Sequence, residues 1–337
     1  MSRYLVTGAT GFLGAHLVAA LLHAKDDVVA LCREDEPELE DLGVTVKRGD
    51  ILDAASVSAA GEGCSGLFHC AGKVSRRPED AEALYRIHVE GTKTVLGAAK
   101  AAGVKRAVVA STSGVVAVSD DPDFIATEDD EAPLALISRW PYYRAKLYAE
   151  RAALAMNGLD FEVICVNPTL LLGPGDLRGS STEDVRLFLE RRIPAVPSGG
   201  LSFVDARDAA EAMRLAMTLG VPGERYLLGA CNLTIREFFA RLSRVSGVPA
   251  PWLPMPRARE LAGWGARHLE RAAGALGMSM PVDAVSLDMA QRHWYLDATR
   301  AETVLGWLPR DPSQTLADTV QDLRDRGAAW PSPHHVS

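Results

Sequence analysis

Tyr142 and Lys146 stand four residues apart in the run Tyr142-Tyr143-Arg144-Ala145-Lys146. On a helix that spacing puts both side chains on one face, as neighbours. A phenol ordinarily titrates near 10, too high for proton exchange near neutrality, and an adjacent ammonium favours the phenolate. The pair therefore suits proton transfer, and the lysine also has donors to hold ribose hydroxyls. Tyr-x-x-x-Lys alone is common in structural helices; two other features lift it above that background. One is the hydroxyl cluster Ser111-Thr112-Ser113-Gly114 after the apolar run ending at Ala110, where a hydroxyl could donate to a carbonyl. The other is the glycine-rich run Thr7-Gly8-Ala9-Thr10-Gly11-Phe12-Leu13-Gly14.

That run lies where a strand, Tyr4–Thr7, passes into a helix, Gly11–His23, the context a phosphate-binding turn requires. Gly8 permits the tight turn, Gly11 lets backbone approach a pyrophosphate, and Gly14 allows close helix–sheet packing. Free N–H groups at the start of the helix, around Thr10, Phe12 and Leu13, then attract the anion. About twenty residues on, the second strand ends in Cys32-Arg33, where an acidic residue would bind ribose hydroxyls and an arginine accommodates a 2′-phosphate. Arg33 predicts NADP(H), with NAD(H) left open by the neighbouring Glu34. Asp50, followed by Ile51, is placed to meet the adenine edge, or else to cap the next helix.

The elements that must position these groups follow a βαβ rhythm. Candidate strands are Tyr4–Thr7, Val28–Cys32, Val44–Arg48, Gly66–His69, Arg106–Ala110, Glu162–Asn167 and Arg225–Leu228, with helices Gly11–His23, Ala81–Ala102, Tyr142–Met156 and Asp205–Leu219 between them. The pattern predicts an α/β fold: a Rossmann-type doubly wound parallel sheet, with strand C-termini facing the ligand. From about Asn167 prolines break the rhythm. The expected division is a dinucleotide-binding domain over 1–166, to which 202–229 return, and a smaller substrate-binding lobe from 167–201 and 230–330. Arg257–Leu276 reads as an amphipathic, solvent-faced helix and 331–337 as a flexible tail.

With 337 residues, 47% hydrophobic, 24% charged and a net charge of −8, the chain has the composition of an ordinary globular protein with room for a large core. No basic stripe suggests nucleic acid. The five cysteines show no C-x-x-C spacing, and neither a zinc cluster nor a disulfide framework is expected. No apolar stretch approaches a membrane span and no signal peptide is apparent, so a cytoplasmic location is expected.

Read together, these motifs resemble the extended short-chain dehydrogenase/reductase family, most closely its dihydroflavonol-4-reductase-like branch, whose bacterial relatives are often labelled sugar epimerases. The resemblance rests on TGATGFLG at Thr7–Gly14, HCAG at His69–Gly72, STSG at Ser111–Gly114, YYRAK at Tyr142–Lys146, NPTLLLGPGD at Asn167–Asp176 and SFVDARDAAEA at Ser202–Ala212, in the family's order. It implies Tyr142 as catalytic acid or base, Lys146 as its electrostatic partner and ribose ligand, and Ser113 as the carbonyl-polarising hydroxyl, with Ser111 or Thr112 as fallback. It also implies that Ala71, Gly72 and Pro168 line the cofactor. His88 departs from the pattern, because the family usually carries an asparagine there that orients a water relay. The histidine is either buried and satisfied by backbone or a relay of another kind. His69 reads as a strand-end packing residue.

The expected activity is reduction of a ketone or aldehyde on a small organic substrate by NADPH, with Tyr142 as proton donor. An NAD-retaining nucleotide-sugar epimerase or dehydratase is one alternative. A non-catalytic cofactor sensor is another. A homodimer is compatible with families of this kind. The substrate pocket is expected from Gly173–Leu201 and Pro249–Trp294, with Phe188, Trp252, Met255, Trp264 and Met280 as candidate walls.

Overall fold

Strands buried on both faces must be apolar along their whole length, and the first strand, β1 (Arg3–Thr7), is buried from Tyr4 onward. The computed structural model describes residues 2–255 and 284–329; the expected helix Arg257–Leu276, the tail 331–337, Trp264 and Met280 lie outside them. After β1 come α1 (Phe12–His23), β2 (Asp27–Cys32), α2 (Pro37–Asp41), β3 (Thr45–Arg48), α3 (Ala54–Gly61) and β4 (Gly66–His69). Next are α4 (Ala81–Tyr85), a π-helical turn at Arg86–Glu90, α5 (Gly91–Ala101), β5 (Arg106–Ala110), α6 (Leu134–Ile137), α7 (Pro141–Leu154) and β6 (Glu162–Pro168). The chain continues through β7 (Leu170–Leu172), α8 (Glu183–Leu189), β8 (Gly200–Asp205), α9 (Ala206–Leu219), β9 (Arg225–Leu228), β10 (Cys231–Thr234) and α10 (Ile235–Ser246). Three helices follow at Ala284–Ala290, Thr299–Leu305 and Pro312–Asp325.

Seven parallel strands form the main sheet in the order β3-β2-β1-β4-β5-β6-β9. The strand order reverses between β1 and β4, which opens a crevice beyond their C-terminal ends. Leu17, Val18 and Leu21 of α1 pack with Ala209, Met213 and Met217 of α9 over one face of the sheet. Val57 and Ala60 of α3, Val95 and Leu96 of α5 and Ala153 of α7 cover the other. All seven expected strands are present. The expected helix Ala81–Ala102 is interrupted by the π-helical turn, which carries His88.

Three strands escaped the sequence reading: β10, β8 and β7 form a second small sheet in that order. β7 is three residues long, β10 alternates polar and apolar residues, and β8, six residues long, begins in the glycine pair that follows Pro194 and Pro197 and includes Ser202 and Asp205, so none gives a continuous apolar run bounded as a strand. Their core joins Leu172, Phe203 and Leu233 to Phe188 of α8, Phe238 of α10 and Leu316 and Val320 of the last helix. That last helix is fastened to α9 by charge. Asp208 accepts hydrogen bonds from the Arg310 backbone N, Nε and Nη2 at 2.8, 2.9 and 2.7 Å, and Arg207 bridges Asp205 and Asp318 at 2.7 and 2.6 Å. Among the described residues no helix is long and apolar enough to cross a membrane.

Candidate active site

The glycine-rich run turns as its residue types require. Gly8 has φ +75°, a region L side chains rarely adopt, and a Cβ there would stand 2.6 Å from the Ala71 backbone N. A Cβ on Gly14 would collide with the Gly8 carbonyl oxygen. The turn therefore lies directly against the segment Cys70–Ala71 beyond β4. Gly11 donates its N–H to the Gly8 carbonyl at 3.0 Å and occupies the N-cap of α1, where no side chain caps the helix and no acidic residue lies in the first turn. The open N–H donors at this positive end, near exposed Thr10 and half-buried Phe12 and Leu13, suit a pyrophosphate.

At the end of β2 the Cys32 side chain is buried, while Arg33 and Glu34 are exposed. Among the described residues Arg33 has no ion-pair partner. The register pairs Cys32 with Arg48 of β3, so a second exposed arginine ends the neighbouring strand one residue away from Arg33 in the pairing. Asp50 is not the cap of the following helix: Asp53 caps α3, accepting from the N–H groups of Ala55 and Ser56 at 3.1 and 3.3 Å. Asp50 accepts locally from Leu52 N at 2.9 Å. Ile51 points toward α5, its Cδ1 2.9 Å from where a Gly91 Cβ would be. Pro168 closes β6 and is buried.

Helix α7 starts with a proline in its first turn, which fixes the chain direction and puts Tyr142 at the helix mouth. Lys146 follows one turn later, buried, its Nζ donating to the Ala110 carbonyl at 2.6 Å. Burial lowers the Lys146 ammonium to about 8. The ammonium does not pull the phenol down as the spacing alone suggests. Burial outweighs it and raises Tyr142 well above the ordinary phenol range, reinforced by Tyr143. Ser113 begins a short 3-10 turn after β5 and is buried. Among the described residues neither the Ser113 nor the Tyr142 hydroxyl has a hydrogen-bond partner. The other two candidates of the cluster are engaged: Ser111 Oγ donates to Glu150, and Thr112 Oγ1 accepts from Gly114 N at 3.4 Å.

Beneath Lys146 lies a group the sequence reading missed. Glu150, 3% exposed, sits one further turn along α7 and accepts from Ser111 Oγ, from Asn167 Nδ2 at 2.6 Å and from Arg225 Nη1 at 3.0 Å. The stripe Tyr142, Lys146, Glu150 is its only local signal; its partners come from β6 and β9. His88 in the π-helical turn is buried with its ring edge-on to Tyr142 at 5.6 Å, and its Nε2 lies 2.8 Å from the Lys73 carbonyl. Burial, reinforced by Lys146, lowers it to about 3, so the imidazole is neutral. The backbone-satisfied alternative describes this contact. His69 is held between Thr7 and Thr92 hydroxyls at 2.7 and 3.1 Å and is likewise lowered to about 3 by burial, with Lys146 and His88 adding to the effect.

One side of the site is aromatic. Tyr143 packs on Tyr142 at 5.1 Å and on Trp294 at 5.0 Å, and Trp140 packs behind both Tyr143 and Trp294. A Cβ on Gly114 would strike the Tyr143 ring and lie 3.1 Å from Trp294 Cζ3, which puts this wall directly against Ser113. Two expected walls fall elsewhere: Phe188 stacks on Phe239 in the core of the small sheet, and Trp252 is 83% exposed. Met255 is half-buried beside Gln291. The basic segment Arg178–Arg192 is largely self-neutralised, because Arg186 pairs with Glu183 and Glu190 at 2.6 Å each and Arg192 pairs with Glu190 at 3.3 Å.

A family model described as the NAD dependent epimerase/dehydratase family matches residues 4–229. The chain belongs to that family. The family comprises NAD(P)-dependent oxidoreductases, epimerases and dehydratases, and the chain is an NAD(P)-dependent enzyme of this kind within the extended short-chain dehydrogenases/reductases. It is 34% identical to a protein of Synechocystis sp. named putative dihydroflavonol 4-reductase, over 96% of this chain and 95% of that one. It is 33% identical to sterol demethylase protein B of Methylococcus capsulatus, over 96% and 98%. The crystal structure of gox2253 superposes with a TM-score of 0.82 at 26% identity, covering 98% of this chain and all of the other.

Proposed function

We propose that the protein reduces the ketone or aldehyde group of a small, flat, apolar organic substrate, with NADPH as the preferred cofactor and Tyr142 as proton donor. The observation that supports this reading is that the hydroxyls of Tyr142 and Ser113 have no hydrogen-bond partner among the described residues, while the lysine one turn along α7 is already fixed to the Ala110 carbonyl. Burial keeps the phenol protonated at neutral pH, the form a donor in the reducing direction must have. Ser113 donates a hydrogen bond to the carbonyl oxygen, and Tyr142 delivers its proton to the same oxygen as it becomes an alcohol. Lys146 holds the ribose hydroxyls and opposes the negative charge left on the phenolate.

NADPH, when bound, supplies the hydride. The open N–H groups at the start of α1, Ala71, Gly72 and Pro168 would hold its pyrophosphate and nicotinamide side, Asp50 and Ile51 the adenine, and Arg33 its 2′-phosphate. Gly8 and Gly14, where a Cβ would strike backbone of Ala71 and of Gly8, keep the turn tight enough to leave the N–H groups after Gly11 open to such a ligand. For the substrate, the wall of Tyr143 and Trp294 suits a flat ring system better than a sugar diphosphate, and Arg186, the central cation of the basic segment, is occupied by glutamates. The names of the relatives in Synechocystis and Methylococcus also refer to polycyclic ring compounds.

The test incubates the enzyme with a panel of aromatic and alicyclic ketones and with nucleotide sugars, offering NADPH and NADH separately and following loss of reduced nicotinamide absorbance. Consumption of NADPH with a ring ketone supports the reading. Interconversion of a nucleotide sugar without net consumption of cofactor overturns it in favour of epimerisation.

A further inference from the structure

A buried ammonium is costly unless a charge of opposite sign faces it. Among the described residues Lys146 has only a neutral carbonyl within hydrogen-bond reach, that of Ala110. We propose that Glu150 is a positioning residue of the site, supplying the counter-charge to the Lys146 ammonium and fixing the loop that carries Ser113. This rests on the role given to Lys146 and Ser113 above.

The geometry supports both halves. Along α7 the side chains of Lys146 and Glu150 lie one turn apart on the same buried face. The Glu150 carboxylate accepts from Ser111 Oγ and Asn167 Nδ2, and that same Asn167 amide donates to the Thr112 carbonyl at 3.1 Å. Ser111 and Thr112 are the residues immediately before Ser113, so one carboxylate fixes both the strand end and the turn that present its hydroxyl. From the edge strand β9, Arg225 reaches in to Glu150 at 3.0 Å and also donates to the Glu128 carbonyl at 3.1 Å.

Among the described residues, the remaining titratable groups near Lys146 offer no rival negative charge. Cys165 of β6 and Cys70 beyond β4 are buried thiols held protonated, Cys70 pushed up to about 12. His69 and His88 are imidazoles that burial, with the Lys146 ammonium adding to it, keeps neutral, and Tyr142 is a protonated phenol. Burial works against the charged lysine most strongly, and the Glu150 carboxylate is the foremost group favouring it.

The chain has seven lysines, few enough for each to be followed by carbon-13 NMR of protein labelled at the lysine Cε, with Lys146→Arg identifying its signal. The cofactor-free wild type should show Lys146 titrating near 8. In Glu150→Gln, an isosteric neutral replacement, the midpoint should fall by roughly one unit or more, and in Arg225→Gln it should rise, because a positive neighbour has been removed. Glu150→Asp should return the midpoint toward the wild-type value. A purely architectural role would leave the midpoint in place or move it the same way in both variants, and either result overturns the proposal. Should Glu150→Gln fail to fold, Arg225→Gln decides alone: an unchanged or lowered midpoint overturns it. Because the titration needs no turnover, a protein that titrates as expected yet reduces nothing would sink the reductase reading and leave this assignment standing.

Discussion

At the scale of single residues, the site divides hydroxyls by what already occupies them. Ser111 is engaged by a carboxylate and Thr112 by a backbone N–H, while Ser113 and Tyr142 remain available to a ligand. Tyr142→Phe deletes the transferable proton but keeps the ring that packs on His88 and Tyr143. The expected outcome is loss of at least about a hundredfold in turnover with cofactor affinity within a few-fold of wild type. A variant that keeps most of its turnover in steady-state assays would refute the proton role. At the β2 end, Arg33→Ala should weaken NADPH much more than NADH in fluorescence titrations, since a charge-assisted contact to a phosphate is lost. Equal losses would show that this guanidinium does not meet the 2′-phosphate, and would turn attention to Arg48 beside it. Much of this was legible beforehand, because the glycine turn and the Tyr142–Lys146 spacing each have a local physical reason. Glu150 was not, because its partners Asn167 and Arg225 are brought to it only by the strand order.

At the scale of elements, the π-helical turn at Arg86–Glu90 turns His88 inward against Lys73 and Tyr142. A histidine held at about 3 in the folded chain and at 6.5 when unfolded makes folding sensitive to acid. The unfolded chain binds the extra proton, so the stability is fully present above pH 6.5 and is lost as pH falls toward 3. The slope for one such group is about 1.4 kcal/mol per pH unit. His69 adds a second group of the same kind. His88→Asn should therefore show a shallower fall in urea-unfolding stability between pH 6 and pH 4 than the wild type. Parallel curves would mean that His88 takes up its proton without unfolding. Most strands of the main sheet could be read in advance because they are apolar runs buried on both faces; β3, with Lys47 and Arg48 exposed, was legible from the βαβ rhythm instead. The strands β7, β8 and β10 could not, since β7 has only three residues, β8 and β10 mix polar with apolar types, and all three are supported by α10 and the last helix rather than by their own pattern. The aromatic wall was equally hidden: Trp294 reaches Gly114 across 180 residues of sequence.

At the scale of the whole molecule, the C-terminal chain is clasped to α9 by a compact charged junction. Trp307, fully buried, donates its indole N–H to the Asp208 carbonyl at 2.8 Å while the Asp208 carboxylate holds Arg310. Asp208→Ala removes three hydrogen bonds to a charged acceptor and should cost on the order of 3 kcal/mol in urea unfolding. Stability equal to the wild type would mark the junction as ornament at the surface. A loss shared with Arg310→Ala, and not doubled in the double variant, would establish it as one unit.

The seventh strand of the main sheet is made from residues that come after the first two strands of the smaller one. On a ribosome, β6 is therefore synthesised well before β9 can cover its open edge, and Trp294 and Thr319 arrive later still to close the aromatic wall and to bond Gly173 N at 2.8 Å. The nascent chain must carry that apolar strand edge unprotected while the residues between Pro168 and Arg225 are made. The glycine-rich turn is thus made long before the aromatic wall, and that wall is complete only once Trp294 has left the tunnel.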